Sequence, residues 1–84
     1  MARVVVRYWA AARAAAGVAE ETVEADTLAA AIAAVTQRRG GRLPEVLSRC
    51  SFLVDETPVG RRDPATVALR DGAVVEALPP FAGG

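Results

Sequence analysis

The chain has no lysine, no histidine and no asparagine, and it has a single cysteine, Cys50. Each absence removes a class of chemistry. Without lysine, no side chain can accept an isopeptide bond, so the protein cannot build lysine-linked chains of itself. Without histidine, the usual general base at neutral pH is missing, and one cysteine alone cannot complete the common zinc ligand sets. One thiol cannot form an internal disulfide either, which excludes a secreted disulfide scaffold. Charge of one sign is also lacking. Ten basic residues, all arginine, balance ten acidic ones, and the pI is near 6.2. A nucleic-acid binder would carry a basic excess, so no nucleic-acid partner is expected. Charged residues interrupt the apolar start MARVVVRYW, which leaves no signal-peptide core, and no apolar run approaches the ~18 residues of a membrane span. The expectation is a soluble cytoplasmic protein with no membrane partner.

What remains is a globular composition. Hydrophobic residues make up 52% of the 84 residues, enough for one domain spanning residues 1–84 with an economical core. Arg3 to Trp9 reads as a first strand, with Val4, Val6 and Tyr8 on one side and Val5, Arg7 and Trp9 on the other. Ala10 to Ala16 is helix-prone and stops at Gly17. Glu20 to Ala25 alternates as a second strand with an exposed face. Asp26-Thr27 caps a helix, LAAAIAAVTQRR, in which Leu28, Ile32 and Val35 share one face and Arg38 and Arg39 sit in the last turn. Leu43 to Arg49 reads as a short helical turn, Ser51 to Asp55 as a strand, and a second short strand follows near Val59. Asp71-Gly72 marks a tight turn before a last strand over Ala73 to Leu78, which Pro79-Pro80 terminates.

If the first two strands form a hairpin and the long helix crosses over, the first and last strands pair centrally. The result is an α+β fold of the β-grasp type: a mixed four- to five-stranded sheet, one main helix across one face, and an extended tail over residues 79–84. Periodicity alone allows other small α+β layouts.

The segment Pro79-Pro80-Phe81-Ala82-Gly83-Gly84 is the most informative. Glycine is 7 of 84 residues, so two in succession at the end is about a 1% event on composition, and termini often mean nothing. The functional alternative has a physical basis. Gly83 and Gly84 have no Cβ and can thread a narrow tunnel, delivering an unhindered carboxylate to another protein's active site. That carboxylate is ionised at neutral pH and a poor electrophile, so a partner must activate it, most simply as an acyl-adenylate made from ATP. Sulfur displacing AMP would leave a thiocarboxylate. Pro79 and Pro80 stiffen the exit from the sheet and lower the entropy lost on insertion. Phe81 either anchors in a partner's apolar groove or folds back on its own core.

Three stretches in order, VRYWAAARAAAG, TLAAAIAAV and DGAVVEALPPFAGG, together resemble the MoaD/ThiS family of ubiquitin-like sulfur carriers, and within it the small subunits of molybdopterin synthase. The resemblance implies a β-grasp fold and a chain that contributes no acid or base of its own. It binds no cofactor, and ATP is used by a MoeB-like, ubiquitin-activating-type adenylyltransferase that acts on Gly84. A sulfurtransferase then supplies the sulfur carried as the thiocarboxylate. A MoaE-like large subunit of molybdopterin synthase accepts the tail and passes the sulfur to a cyclic pterin precursor. By position, the resemblance places Trp9 and Leu78 on an apolar partner-binding surface, with Phe81 and Ala82 on the tail. Arg13 becomes a candidate for a partner-side ion pair. From the residues alone, Trp9 as core and Arg13 as a solvated surface group stay open.

Other acceptors for the same thiocarboxylate, in thiamine thiazole or cysteine biosynthesis, are alternatives, as is a ubiquitin-like modifier or interaction module. The chain departs from the family in having Val54-Asp55-Glu56-Thr57 where many members carry Val-Asn-Gly, and in an alanine-rich helix face. Cys50 reads as a small buried hydrophobe rather than a persulfide relay. Arg61-Arg62 and the Arg38, Arg39, Arg42 group read as solvated faces rather than phosphate sites, and Glu20, Glu21 and Glu24 lack the spacing of a calcium loop.

Overall fold

A computed structural model describes residues 1–80; Phe81, Ala82, Gly83 and Gly84 lie outside the described residues. The valine-rich start forms β1 (Arg3–Tyr8), in which Val4, Val6 and Tyr8 are buried, while Val5 and Arg7 face outward. Alanines carry α1 (Ala10–Ala16) until Gly17, at φ 81°, donates its N–H to the Arg13 carbonyl and ends the helix. β2 (Glu20–Glu24) then runs back antiparallel to β1, with Val4 opposite Val23 and Arg7 opposite Glu20.

The Thr27 hydroxyl accepts the Ala30 N–H at 3.1 Å and caps α2 (Leu28–Arg39). The buried stripe of this helix is Leu28, Ala31 and Val35; Ile32, expected to share it, is only partly buried. Spacing i, i+3, i+7 centres the contact on a methyl-sized side chain, so the helix can lie close to the sheet. The helical turn expected over Leu43 to Arg49 is α3 (Leu43–Ser48), which buries Leu43 and Leu47. The main helix is thus joined by two short ones, and all three feed one core cluster.

Next come β3 (Ser51–Val54) and β4 (Thr57–Pro58). The second short strand, expected near Val59, is β4, and Val59 directly after it still donates its N–H to the Phe52 carbonyl at 3.0 Å. The Val59 side chain turns into the core. A 3-10 turn at Pro64–Thr66, capped by the Asp63 carboxylate, leads toward the Asp71-Gly72 turn. In that turn the Asp71 carboxylate accepts the Arg3 N–H at 2.8 Å, and Gly72 sits at φ 87°. Finally β5 (Val74–Leu78) pairs parallel to β1 and antiparallel to β3. The sheet order is β2-β1-β5-β3-β4, so the first and last strands lie centrally as the β-grasp reading requires.

One feature of the core edge differs from the sequence reading. The Glu21 side chain is only 6% exposed and is gripped from two elements. Arg38 donates to it at 2.8 Å, Arg39 donates through two nitrogens at 3.0 and 3.1 Å, and the Tyr8 hydroxyl donates to its other side. Arg38 and Arg39 are therefore not simply a solvated face; they close the end of α2 onto β2. Burial alone would push the Glu21 carboxyl up, but the hydrogen bonds from Arg39, Tyr8 and Arg38 outweigh it and hold the pKa at about 2. Burial, reinforced by its bond to Glu21, pushes the Tyr8 hydroxyl well above its usual value.

Candidate functional site

Alternation fixes which residues the sheet turns away from its core. In β1 and β5 the register pairs Val5 with Val74 and Arg7 with Glu76, while the intervening Val6–Val75 and Tyr8–Ala77 pairs are buried. Across β5 and β3, Glu76 faces Leu53 and Leu78 faces Ser51. Pro58 of β4 continues the row opposite Leu53. The outer face therefore carries an apolar group of Val5, Val74, Leu53 and Leu78, each partly exposed, with Pro58 at its edge.

Trp9 resolves in favour of the surface. It is 47% exposed, and its indole N–H donates to a Glu76 carboxylate oxygen at 3.0 Å, across the sheet's outer face. Its backbone N–H donates to the Ala77 carbonyl at 3.2 Å, which sets Trp9 beside Leu78 one strand away. Pro79 is partly buried and Pro80 exposed. Because β1 and β5 are parallel, the loop after β1 and the tail after β5 leave the sheet at the same end. Arg13 lies there too. It is exposed on α1, its backbone N–H bonded to the Trp9 carbonyl at 3.3 Å, and its side chain makes no ion pair among the described residues. The structure thus brings Trp9, Leu78, Pro79 and Pro80 together around the tail's exit, with Arg13 one turn along α1 from Trp9. Phe81, Ala82, Gly83 and Gly84, the remaining expected site residues, lie outside the described residues.

Sequence reasoning did not single out Glu76, Leu53, Val5 or Val74. Period-two alternation along VVEAL carried the signal, since it places Val74, Glu76 and Leu78 on one side. Other candidates recede. Cys50 is half-buried, its thiol donates to the Val46 carbonyl at 3.3 Å, and burial pushes its pKa up to about 11. A thiol so protonated is a weak nucleophile at neutral pH. Among the described residues no group of His, Cys, Asp and Glu is arranged to hold a metal ion, and no helix is long and apolar enough to cross a membrane.

Residues 6–84 match the model of the ThiS family. The chain belongs to the ThiS family. Its ubiquitin-like β-grasp is shared with solved structures over nearly its full length. Subunit 1 in a complex of subunits 1 and 2 of molybdopterin-converting factor from Helicobacter pylori is 26% identical, with a TM-score of 0.70, over 98% of this chain and 99% of that one. Small archaeal modifier protein 1 from Methanosarcina acetivorans superposes with a TM-score of 0.85 at 20% identity, covering 100% of this chain and 98% of that one. CysO from Mycobacterium tuberculosis gives 0.77 at 20% identity, over 93% and 99%. The last two likenesses concern the fold alone. Among curated proteins, no relative matches this ThiS-family chain.

Proposed function

We propose that this ThiS-family protein is a sulfur carrier whose Gly84 is adenylated, thiocarboxylated and then used to donate sulfur to the cyclic pterin precursor within molybdopterin synthase. The observation that carries the reading is the family match, which runs through residue 84 and so includes the Pro79 to Gly84 segment. The choice of pathway is supported by the 26% identity to a molybdopterin-converting factor subunit 1 whose structure was solved in complex with subunit 2.

The chemistry follows from what the tail is. In the first step a carboxylate oxygen of Gly84 attacks the α-phosphorus of ATP on a ubiquitin-activating-type adenylyltransferase and releases pyrophosphate. The acyl-adenylate has a good leaving group: the terminal sulfur of a sulfurtransferase persulfide displaces AMP to form an acyl disulfide, and a second thiol reduces that S–S bond, forming a disulfide with the sulfurtransferase sulfur and releasing the thiocarboxylate. The large subunit then receives the tail, and sulfur passes to the pterin while Gly84 returns to carboxylate at the expense of water. The chain itself supplies the reacting atom, a stiffened arm at Pro79 and Pro80, and the outer sheet face around Trp9 and Leu78 on which each partner seats. Acid, base and oxyanion-stabilising groups come from the partners.

The test is intact-mass spectrometry after co-production with the adenylyltransferase and a sulfur source. The expected species is heavier by the difference between sulfur and oxygen, and it disappears when Gly84 is deleted. The same loaded protein, added to the large subunit and the precursor, should revert to the unloaded mass as the dithiolene product forms. Failure to load in the presence of a competent adenylyltransferase refutes sulfur carriage. Loading without transfer to the precursor, but with transfer in a thiazole or cysteine synthase reaction, refutes the pathway alone.

A further inference from the structure

The outer face has a charge at its centre. Glu76 lies between Val74 and Leu78 along β5, beside Leu53 on one flank and Arg7 on the other, with Trp9 folded against it. One of its carboxylate oxygens accepts the neutral Trp9 indole N–H at 3.0 Å, and among the described residues that is its only side-chain partner. Arg7, in register beside it, directs its guanidinium to Glu20 at 3.2 Å instead. Asp55 and Glu56 border the same shallow hollow as Arg7, Val74 and Glu76. Although the whole chain is neutral, the face is acidic: Glu20, Glu24, Asp55, Glu56 and Glu76 stand against Arg3 and Arg7.

A partner that covers Val5, Val74, Leu53, Leu78 and Trp9 must also cover Glu76. Taking a carboxylate out of water without a counter-charge costs several kcal/mol, by general magnitudes for buried ions. The single indole bond does not offset that, because it is neutral and occupies one of about four acceptor positions. Covering the patch is therefore favourable only if the partner brings a positive charge to the free carboxylate oxygen. A guanidinium suits the place best, since it can pair with the carboxylate edge while stacking on the exposed Trp9 ring.

We infer that Glu76 is the specificity-determining residue of the docking face and selects partner surfaces that are apolar, basic around the rim, and carry an arginine or lysine opposite it. The inference rests on the reading that this face seats on the molybdopterin synthase large subunit and the adenylyltransferase. It adds which surfaces the chain accepts: an apolar surface without a cation at that point is rejected, even where its shape fits the fold.

The experiment is titration calorimetry of the intact chain against the large subunit and the adenylyltransferase of the same organism, across a range of salt concentrations. Three forms are compared: wild type, Glu76→Gln, which keeps size and an acceptor for the indole, and Trp9→Ala. Wild-type affinity should fall as salt rises. Glu76→Gln should bind about tenfold more weakly and with a flatter salt dependence, as expected for loss of one charge-assisted hydrogen bond. A partner variant lacking the opposing cation should no longer distinguish wild type from Glu76→Gln. Equal or tighter binding by Glu76→Gln, while Trp9→Ala weakens binding, overturns the role of Glu76 and leaves the docking face standing. A wild-type chain that binds neither protein overturns the docking reading and this inference together. Salt-independent wild-type binding also overturns the inference, and that measurement requires no variant.

Discussion

Glu21→Gln is the substitution whose effect the structure specifies most fully. Glutamine preserves the volume and one acceptor, but it removes the charge that Arg38, Arg39 and Tyr8 converge on. The carboxyl is held at about 2 in the folded protein against an ordinary 4.5. At about 1.4 kcal/mol per pKa unit, that depression corresponds to about 3 kcal/mol of stability. The Arg38 side chain is 50% exposed, so solvent screens part of the attraction, and ~2 kcal/mol is the working value. The sign is fixed by the direction of the shift. A depressed folded pKa gives a contribution that is complete above the unfolded value of 4.5 and is lost as pH falls through about 2. Glu21→Gln should therefore unfold about 8–16 °C lower than wild type at neutral pH. The gap between the two proteins should close progressively below pH 4.5, because the wild type loses what the variant never had. Urea unfolding followed by far-ultraviolet circular dichroism at a series of pH values reads both quantities, and urea leaves the ion pairs unscreened. Two proteins that agree to within about 0.5 kcal/mol at neutral pH would refute the reasoning, since that is the scatter of an ordinary surface substitution. A gap that stays constant down to pH 2 would show that packing, not charge, makes the difference.

Two further consequences follow from local geometry. Asp55 and Glu56 form the two-residue turn between β3 and β4 at φ 49° and 70°; glutamate is strained there where glycine is not, so Glu56→Gly should stabilise the fold by about 0.5–1 kcal/mol after the glycine's unfolded-state entropy is counted. A melting temperature equal to or below wild type would contradict this. Cys50, with its thiol pushed up to about 11, should be alkylated about a hundredfold more slowly than a free cysteine at neutral pH and at the ordinary rate once urea unfolds the chain; modification at the free-thiol rate in the native protein would contradict its placement.

Local signals made most of the fold legible, and long-range pairs hid the rest. The Val4, Val6, Tyr8 alternation, the Thr27 cap and the Asp71-Gly72 turn each depend on neighbours within a few residues, and each is found as read. The Glu21 clamp was not legible: alternation along β2 puts Glu21 on the side of Val23 and Ala25, but nothing local supplies the charges that hold a carboxylate there. Its arginines lie 17 and 18 residues further along the chain, and only the crossover of α2 brings them back over β2. Ile32 shows a related limit: it packs against the core on the face shared with Leu28 and Val35, but the sheet beneath centres the stripe on Ala31 and leaves Ile32 at its edge, only partly buried.

The same distinction explains the candidate site. Trp9 and Glu76 are 67 residues apart, and nothing local to either suggests a hydrogen bond; what joins them is the parallel pairing of the first and last strands. That pairing has a second effect. In an antiparallel pair, the loop after β1 and the tail after β5 would leave at opposite ends of the sheet. Because the pair is parallel, Trp9, Arg13 and the Pro79-Pro80 exit share one end, beside a face centred on a carboxylate that makes no ion pair among the described residues. A partner seated there is held at the base of the arm it must receive. On the reading proposed here, recognition therefore falls to the sheet and chemistry to the glycines beyond it. Substitutions at Glu76 should then alter which partner is engaged without altering what Gly84 can do once engaged, a division that the calorimetry and the mass measurement separate.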